Sequence, residues 1–274
     1  MEKGPDIQPK TKGKGAVEPP ANGLRRDTVE FLGVKIDNVD TGQLLERILF
    51  FASTPHRQRK VMYVNADCMV LAQKNPRYMD VLNGADLVYP DGAGVVLGAR
   101  LLGLRLAGRS TAADFMPEFA KHFARAGLRL FLLGARPGVA KAAAKALKSQ
   151  APNLLIAGTH HGYFKKEETR GVIQQINASK ADILLVGFGA PFQEFWIEEN
   201  AGQLTPTILW GVGGLFDFLS GRTPRGPRWM LDHGLEWLCR LAVEPRRLWR
   251  RYLIGNLLFL WITLKQGLFQ PGKK

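Results

Sequence analysis

Short apolar runs alternate regularly with helical patterns through the middle of this chain. Each run is followed by a helical pattern or a glycine-containing turn, and the runs lie at residues 61–64, 86–89, 129–133, 154–157, 182–186 and 207–210. Strands that alternate with helices form a mostly parallel sheet, because each crossover helix returns the chain to the same end of the sheet. The sequence therefore predicts the α/β class, with a Rossmann-like, mostly parallel sheet flanked by helices.

The two ends of the chain differ from this middle part. Residues 1–26 are rich in Lys, Pro and Gly and nearly free of apolar residues, which predicts a disordered tail. Residues 27–226 form the predicted core, with a small hairpin or edge strand at 31–36 and a helix at 41–51. After Pro227 the pattern is helical only, so residues 227–274 are predicted to be a helical, membrane-associating appendage, whose last helix starts near Glu244-Pro245.

Basic residues concentrate in that appendage. The formal net charge is +14, and from Arg222 to Lys274 there are eleven Lys or Arg residues against three acidic ones. Such a segment can face nucleic acid, an anionic membrane or phosphorylated substrates, or can simply be a solvated face. Tryptophan and leucine are interleaved with the arginines, which favours a membrane interface, with Trp249, Phe259 and Trp261 entering it.

Three further patterns bear on the compartment. The two cysteines form no CxxC pair, which is typical of a reducing compartment. No apolar h-region of a secretory signal appears near the N-terminus. The longest apolar stretch, residues 252–264, is too short to span a bilayer and fits a buried or interfacial helix. The expected location is cytoplasmic and peripheral, on the inner face of the cell membrane.

Asp91 is the strongest candidate for a catalytic group. It lies in Pro90-Asp91-Gly92 directly after a predicted strand, and ligands of open α/β sheets bind outside the carboxyl ends of the strands. A carboxylate there can act as a general base on a substrate hydroxyl. The alternative is an Asp that only makes an Asx-turn or caps the next helix.

Glycine turns follow several of the predicted strands. Gly134, Gly187, Gly189 and Gly213 can let the backbone approach a phosphate closely, and helix N-termini can supply amide donors. None of these turns matches the G-x-G-x-x-G dinucleotide fingerprint, and similar turns occur in parallel sheets that bind nothing there. Together they favour an anionic, nucleotide-linked substrate.

Polar and basic side chains near these turns complete the candidate site. Gln193 can bind a sugar or phosphate, or can complement a helix dipole together with Glu194. Arg109 is either a phosphate clamp or a surface residue. The appendage carries Arg246, Arg247, Arg250 and Arg251 within two helical turns, and arginine suits bidentate phosphate recognition. No His/Cys set and no Asp-x-Asp pair indicates a metal, so neither metal nor cofactor is expected.

Taken together, the motifs resemble the WecG/TagA/CpsF glycosyltransferases (glycosyltransferase family 26) over residues 31–259. The resemblance is carried by Asn65-Ala66-Asp67, by residues 85–94, which contain Pro90-Asp91-Gly92, and by the segments at residues 109–115, 131–134, 161–164, 187–197, 211–229, 234–241 and 244–252. It implies an inverting, metal-independent transfer of a sugar from a UDP-sugar, typically UDP-N-acetylmannosamine. The implied acceptor is a polyprenyl-diphosphate-linked sugar in the synthesis of cell-surface polysaccharide.

The resemblance also implies roles for individual residues. Asp91 matches the proposed general base, and the pocket residues Asn65, Arg109 and Gln193 match as well. In the appendage, the arginines implied to meet the lipid-linked diphosphate are Arg240, Arg247 and Arg250. An anionic membrane surface is a further implied partner, self-association is left open, and no nucleic acid is expected.

Three positions depart from the family pattern. Tyr63 stands where threonine is usual, Ala112 where glycine is common, and Phe192 where lysine is frequent. These departures bear on the identity of donor and acceptor rather than on the fold. The rival interpretations are a nicotinamide-dependent oxidoreductase, suggested by the sheet class alone, and a non-catalytic basic membrane adaptor.

Overall fold

The computed structural model describes residues 26–54 and 57–269, without the side chains of Asp232, Arg247 and Phe269. All of the predicted tail except Arg26 therefore lies outside the described residues. The described residues contain eight strands: β1 Thr28–Phe31, β2 Val34–Asp37, β3 Arg59–Val64, β4 Leu87–Pro90, β5 Arg129–Gly134, β6 Leu155–His160, β7 Ile183–Gly187 and β8 Ile208–Gly211. Six of them form one parallel sheet, which confirms the predicted fold class and the six predicted strands.

The order of strands across this sheet is β4-β3-β8-β7-β5-β6. From β3 the chain moves outward to β4, whereas β8 pairs with β3 on its other side. The strand order therefore switches direction between β3 and β8. A crevice opens outside the carboxyl ends of the strands at such a point, and this is the usual place for a ligand in an open α/β sheet.

Helices cover the sheet and continue past it. In the core they are α1 Thr41–Ser53, α2 Ala66–Lys74, α3 Pro76–Asn83, α4 Ala93–Leu101, α5 Ala112–Arg125, α6 Val139–Gln150, α7 Thr169–Ala178, α8 Phe192–Asn200 and α9 Leu215–Leu219. The C-terminal ones are α10 Arg228–Asp232, α11 Glu236–Val243, α12 Pro245–Trp249 and α13 Gly255–Phe269, with a π-helical turn at Arg250–Ile254 joining the last two. The continuous helical segment made of α12, the π-helical turn and α13 starts at Pro245, where the last helix was predicted to start.

One part of the hydrophobic core is an aromatic cluster centred on β8. Trp210 is fully buried, donates a hydrogen bond to Tyr89 Oη at 3.3 Å, and packs against Phe115 and Phe119. These side chains come from strands β4 and β8 and from helix α5, so the cluster fixes the strand ends that border the crevice. Aromatic pairs with centroids about 4.5–7 Å apart add stability beyond the area that they bury.

The predicted hairpin at residues 31–36 is a separate two-stranded antiparallel sheet. Its two turn residues, Leu32 and Gly33, both have positive φ, as a tight type I′ hairpin requires. The hairpin is tied to the main sheet by Asp37, whose fully buried carboxylate accepts hydrogen bonds from Val88 N at 2.7 Å and from Arg26 and Arg47.

Replacing Asp37 by alanine is expected to lower the free energy of unfolding by about 3–5 kcal/mol. The substitution removes the carboxylate that pairs with a buried arginine and with a backbone amide, and breaking a buried pair on one side costs this much. Urea unfolding followed by circular dichroism measures the change. Asp27→Ala is the control, because this exposed residue should shift stability by no more than about 0.5 kcal/mol. Equal stabilities of the two variants would contradict the structural role of Asp37.

The appendage packs partly on the core. Phe259 is 6% exposed and meets Phe31 edge to face, and Gly98 on α4 leaves the space for its ring. The prediction that Phe259 enters a membrane interface is therefore wrong, because this side chain is part of the hydrophobic core. Trp249 and Trp261 remain exposed, at 42% and 58%.

Candidate active site

A cavity of about 500 Å³ opens outside the carboxyl ends of β3, β4, β7 and β8. Its walls come from both sides of the switch in strand order and also from the appendage. Of the residues predicted for the site, it is lined by Asp91, Asn65, Gly187, Gly189, Gly213 and Arg240. Its size suits a small-molecule ligand, since ligand pockets typically measure about 300–1,000 Å³.

Asp91 lies in this cavity directly after β4. Its backbone amide donates to Val64 O at 2.8 Å, which joins the ends of β4 and β3. The carboxylate does not cap the following helix, because the N-cap residue of α4 is Gly92 and no side chain makes a capping hydrogen bond there. The helix-cap alternative for Asp91 is therefore not what the structure shows.

The environment of Asp91 changes its acidity. Burial raises the pKa of the Asp91 carboxyl to about 6; the Thr111 hydrogen bond and Arg240 lower it, whereas Glu236 and Asp114 raise it further. Thr111 is free for this contact because its side chain does not cap α5. A carboxyl with such a pKa is mostly ionised at neutral pH and is still basic enough to take a proton from a substrate hydroxyl.

Asn65 stands beside Asp91 at the end of β3. Its side-chain oxygen caps helix α2 by accepting from Cys68 N at 3.1 Å. That contact fixes the orientation of the amide, and no described residue accepts a hydrogen bond from its side-chain nitrogen. The capping role therefore leaves an amide donor for a ligand in the cavity.

The glycine turns form one wall of the cavity. Gly189 and Gly213 have φ of +81° and +56°, a left-handed conformation that favours glycine. Gly134 lies behind this wall: a Cβ on it would lie 2.5 Å from Gly187 O, so glycine is needed for the ends of β5 and β7 to approach. The residue after it, Ala135, lines the cavity.

Gln193 lies behind the same wall instead of facing the cavity. It is fully buried, its side-chain oxygen accepts from Gly213 N at 2.8 Å, and its nitrogen donates to Glu194 Oε1 at 2.8 Å. Burial raises the pKa of the Glu194 carboxyl to about 7, although the hydrogen bond from Gln193 lowers it. In this structure Gln193 therefore positions the Gly213 turn.

The predicted arginines have different placements. Arg240, from α11, lines the cavity with its guanidinium 4.9 Å from the Phe218 ring centroid, and its buried Nε has no hydrogen-bond partner among the described residues. Arg109 does not line the cavity; it donates to Leu231 O at 2.6 Å and so ties the core to α10. Arg250 is exposed outside the cavity, over the Trp249 ring, and the side chain of Arg247 lies outside the described part.

Several residues that line the cavity were not among the predicted site residues. Thr111, Asp217 and Phe218 line it, and so does Arg251, the neighbour of Arg250. The motif that contains Arg251 is visible in the sequence, but its spacing does not show which arginine faces inward. The three departures from the family pattern, at Tyr63, Ala112 and Phe192, all line the cavity.

Neither a cluster of metal-binding side chains nor a membrane-spanning helix is present in the described part of the chain. Within residues 26–54 and 57–269, no group of three or more His, Cys, Asp or Glu side chains is arranged to hold a metal ion. In the same part of the chain, no helix has both the length and the apolar content needed to cross a membrane.

Comparison with known proteins identifies the family. Residues 29–273 match the glycosyl transferase WecG/TagA/CpsF family. A protein of Staphylococcus aureus named N-acetylglucosaminyldiphosphoundecaprenol N-acetyl-beta-D-mannosaminyltransferase is 33% identical over 223 residues, which cover 81% of this chain and 87% of that protein. A Bacillus subtilis protein of the same name is 35% identical over 190 residues, covering 69% and 73% of the two chains. The chain thus belongs to the WecG/TagA/CpsF family of glycosyltransferases, as its motifs predicted.

Proposed function

We propose that this protein transfers a sugar from a UDP-sugar to a polyprenyl-diphosphate-linked acceptor, with inversion at the anomeric carbon and without a metal. N-acetylmannosamine is the first candidate for the sugar, because the relatives are named for its transfer to N-acetylglucosaminyldiphosphoundecaprenol. The observation that carries the proposal is the partly buried carboxyl of Asp91, which faces a cavity lined by glycine turns and by Arg240.

In the proposed reaction Asp91 takes the proton from the acceptor hydroxyl. The hydroxyl oxygen forms a bond to the anomeric carbon as the bond from that carbon to the UDP oxygen breaks, and UDP leaves with the electron pair. Arg240 and the amide donors of the cavity, including Asn65, stabilise the charge that develops on the diphosphate. Attack from the face opposite the leaving group inverts the anomeric carbon.

The cavity mouth also fits a nucleotide. Tyr163 and Phe192 are both 69% exposed and line the cavity, so their rings are available to stack on a nucleobase. The tyrosine at position 63 fills space next to Gly213. It is the first residue to exchange if the donor proves to be a sugar other than N-acetylmannosamine.

The appendage supports a location on the inner face of the cell membrane. An exposed apolar surface, which we call the C-terminal apolar surface, consists of Leu253, Ile254, Leu257, Leu260, Trp261, Leu264 and Leu268. Exposed basic side chains flank it, including Arg246, Arg250 and Lys265. Large apolar patches with a basic rim mark membrane-binding surfaces, and anionic lipid adds attraction for each basic residue.

Two assays separate this proposal from its rivals. A glycosyltransferase releases UDP from its donor only when the lipid-linked acceptor is also present, whereas an oxidoreductase binds NAD(P)H with a change in fluorescence. A basic adaptor does neither. Release of UDP from a panel of UDP-sugars, with a short-chain polyprenyl-diphosphate-N-acetylglucosamine as acceptor, therefore tests the proposed function directly. Binding of NADPH without UDP release would favour the oxidoreductase.

The rate of UDP release is expected to depend on pH through Asp91. Its pKa of about 6 means that kcat/KM falls tenfold per pH unit below pH 6 and levels off above it, because only the ionised carboxylate accepts a proton. Glu194, whose pKa lies near 7, is a second buried carboxyl with a raised pKa that could produce such a limb. Glu194→Gln should keep the acid limb near pH 6, and loss of that limb in this variant would contradict the assignment to Asp91.

A further inference from the structure

Glu194 is a buried carboxyl that the proposed reaction does not use. It lies in the first turn of α8, next to Gln193, and both side chains are fully buried. Its Oε1 accepts a hydrogen bond from Gln193 Nε2 at 2.8 Å, whereas no residue of the described ranges forms a hydrogen bond with Oε2. A carboxyl is costly to bury unless it is hydrogen-bonded. The contact with Gln193 therefore offsets part of the cost of placing Glu194 in the core.

The side-chain amide of Gln193 is held in one of two orientations. A glutamine amide has an acceptor oxygen and a donor nitrogen of nearly the same shape. The oxygen of Gln193 accepts from Gly213 N and its nitrogen donates to Glu194 Oε1, each at 2.8 Å. A half-turn of the amide would place its nitrogen against the Gly213 N–H, which is also a donor, and its oxygen against an oxygen of Glu194. Glu194 therefore selects the orientation in which Gln193 offers its oxygen to Gly213.

The backbone around Gly213 is shaped to receive this amide. Gly211 ends β8, and a Cβ on it would lie 2.8 Å from Gln193 Nε2, so glycine leaves the room for the side chain. Gly213 itself has a φ of +56° and lines the cavity. Its carbonyl oxygen is so close to Gly187 that a Cβ on Gly187 would lie 2.9 Å from it. The turn is thus held between the end of β7 and Gln193, and its position sets one wall of the cavity.

From these contacts we infer that Glu194 is a positioning residue for the Gly213 turn, which acts through Gln193 and touches no substrate. Neither Gln193 nor Glu194 lines the cavity. The inference rests on the proposed function, because the turn borders the cavity in which the sugar is transferred. Without an acceptor at position 194 the Gln193 amide is free to rotate, and the Gly213 amide loses its partner. Displacement of a cavity wall by about 1 Å lowers a rate by up to about 100-fold.

Hydrogen–deuterium exchange of the full-length protein, followed by mass spectrometry, tests this inference independently of activity. Glu194→Met removes the acceptor and keeps the length of the side chain. Peptides that contain Gly213 should show its amide exchanging about 3- to 10-fold faster in this variant than in the wild type, the effect of one lost hydrogen bond. Acceptor-dependent UDP release by the same variant should be about 10- to 100-fold slower.

Two controls separate the acceptor from the charge. Glu194→Gln keeps a side-chain oxygen that accepts from Gln193, so both the exchange of the Gly213 amide and the rate of UDP release should stay close to those of the wild type. Glu199→Met removes an exposed carboxyl from the same helix, one that pairs with Arg77 at the surface, and should change neither measurement.

A double variant tests whether Glu194 acts through Gln193. If it does, Gln193→Met alone already releases the Gly213 turn, and adding Glu194→Met should cause no further loss of activity. Glu194→Asp covers the case in which Glu194→Met does not fold. It keeps the carboxylate but is one methylene shorter, so it reaches Gln193 less well and should exchange the Gly213 amide faster than the wild type does.

Three results would overturn the inference. In the first, Glu194→Met matches the wild type in exchange and in activity, or Glu194→Asp does so when the methionine variant does not fold. In the second, Glu194→Gln loses as much as Glu194→Met, which would indicate that the charge is what matters. In the third, the double variant is clearly less active than Gln193→Met. Each of these would leave the proposed function standing. Absence of UDP release by the wild type, with faster exchange in Glu194→Met, would instead overturn the proposed function and support the positioning of the turn by Glu194.

Discussion

Asp91→Asn is expected to lower the rate of acceptor-dependent sugar transfer by about 10²–10⁴-fold, the contribution of a positioned general base. Asparagine has nearly the same shape as aspartate and can keep the contact with Thr111, but it cannot accept the proton of the acceptor hydroxyl. The loss should therefore appear in kcat at saturating donor and acceptor. UDP release measured under initial-rate conditions gives the comparison.

Two controls bear on the interpretation of that loss. The melting temperature and the Kd for UDP should both remain close to those of the wild type, because Asp91 contributes a proton-accepting group and not a contact with the nucleotide. Glu236→Gln is a matched acid-to-amide change at a carboxyl that influences Asp91 electrostatically, and it should retain most of the activity. Near-normal turnover of a folded Asp91→Asn protein would rule out the proposed base.

Replacing four side chains of the C-terminal apolar surface by serine is expected to abolish binding to vesicles, with a loss of at least about 100-fold. Leu257, Trp261, Leu264 and Leu268 are spaced by four, three and four residues, so they share one face of α13. They are 69%, 58%, 49% and 79% exposed. Complete burial of one such side chain contributes about 1.5–3 kcal/mol to binding. A hundredfold change in affinity corresponds to about 2.7 kcal/mol, so partial burial of all four side chains contributes more than this amount.

Flotation with phosphatidylglycerol-containing vesicles measures this effect. The control compares two single substitutions, Leu257→Ser on the C-terminal apolar surface and Leu155→Ser outside it. Leu155 is also an exposed leucine, but it lies at the start of β6, away from the appendage. UDP binding by the four-residue variant should be unchanged, since none of the four side chains lines the cavity. If the four-residue variant still floats as the wild type does, the appendage does not bind membranes through this surface.

The sheet and its ligand-binding edge could be predicted because both depend on local sequence. An apolar run such as residues 182–186 predicts a buried strand, and the strand found is Ile183–Gly187. Asp91 follows from the same logic, since a carboxylate directly after a parallel strand must lie at the edge where ligands bind. Gly189 and Gly213 likewise indicate turns, because both have a positive φ, a backbone conformation that favours glycine.

The residues that were misplaced depend on partners distant in sequence. Phe259 is buried because Gly98, about 160 residues earlier on α4, leaves room for its ring. Gln193 is directed away from the cavity because the Gly213 amide, after another strand, needs an acceptor. Arg251 lines the cavity and is held there by an ion pair with Asp67 on α2. Helical periodicity alone contains none of this information.

The central proposal for this chain is that it moves a sugar from a UDP-sugar onto a hydroxyl of a polyprenyl-diphosphate-linked sugar. Mass spectrometry of the lipid acceptor after incubation with the full chain and UDP-N-acetylmannosamine tests it most directly, with the Asp91→Asn protein in parallel. We expect the acceptor to gain one N-acetylhexosamine in the wild-type reaction and to remain almost unmodified in the variant. An acceptor left unmodified by folded wild-type protein with every UDP-sugar tried would contradict the account.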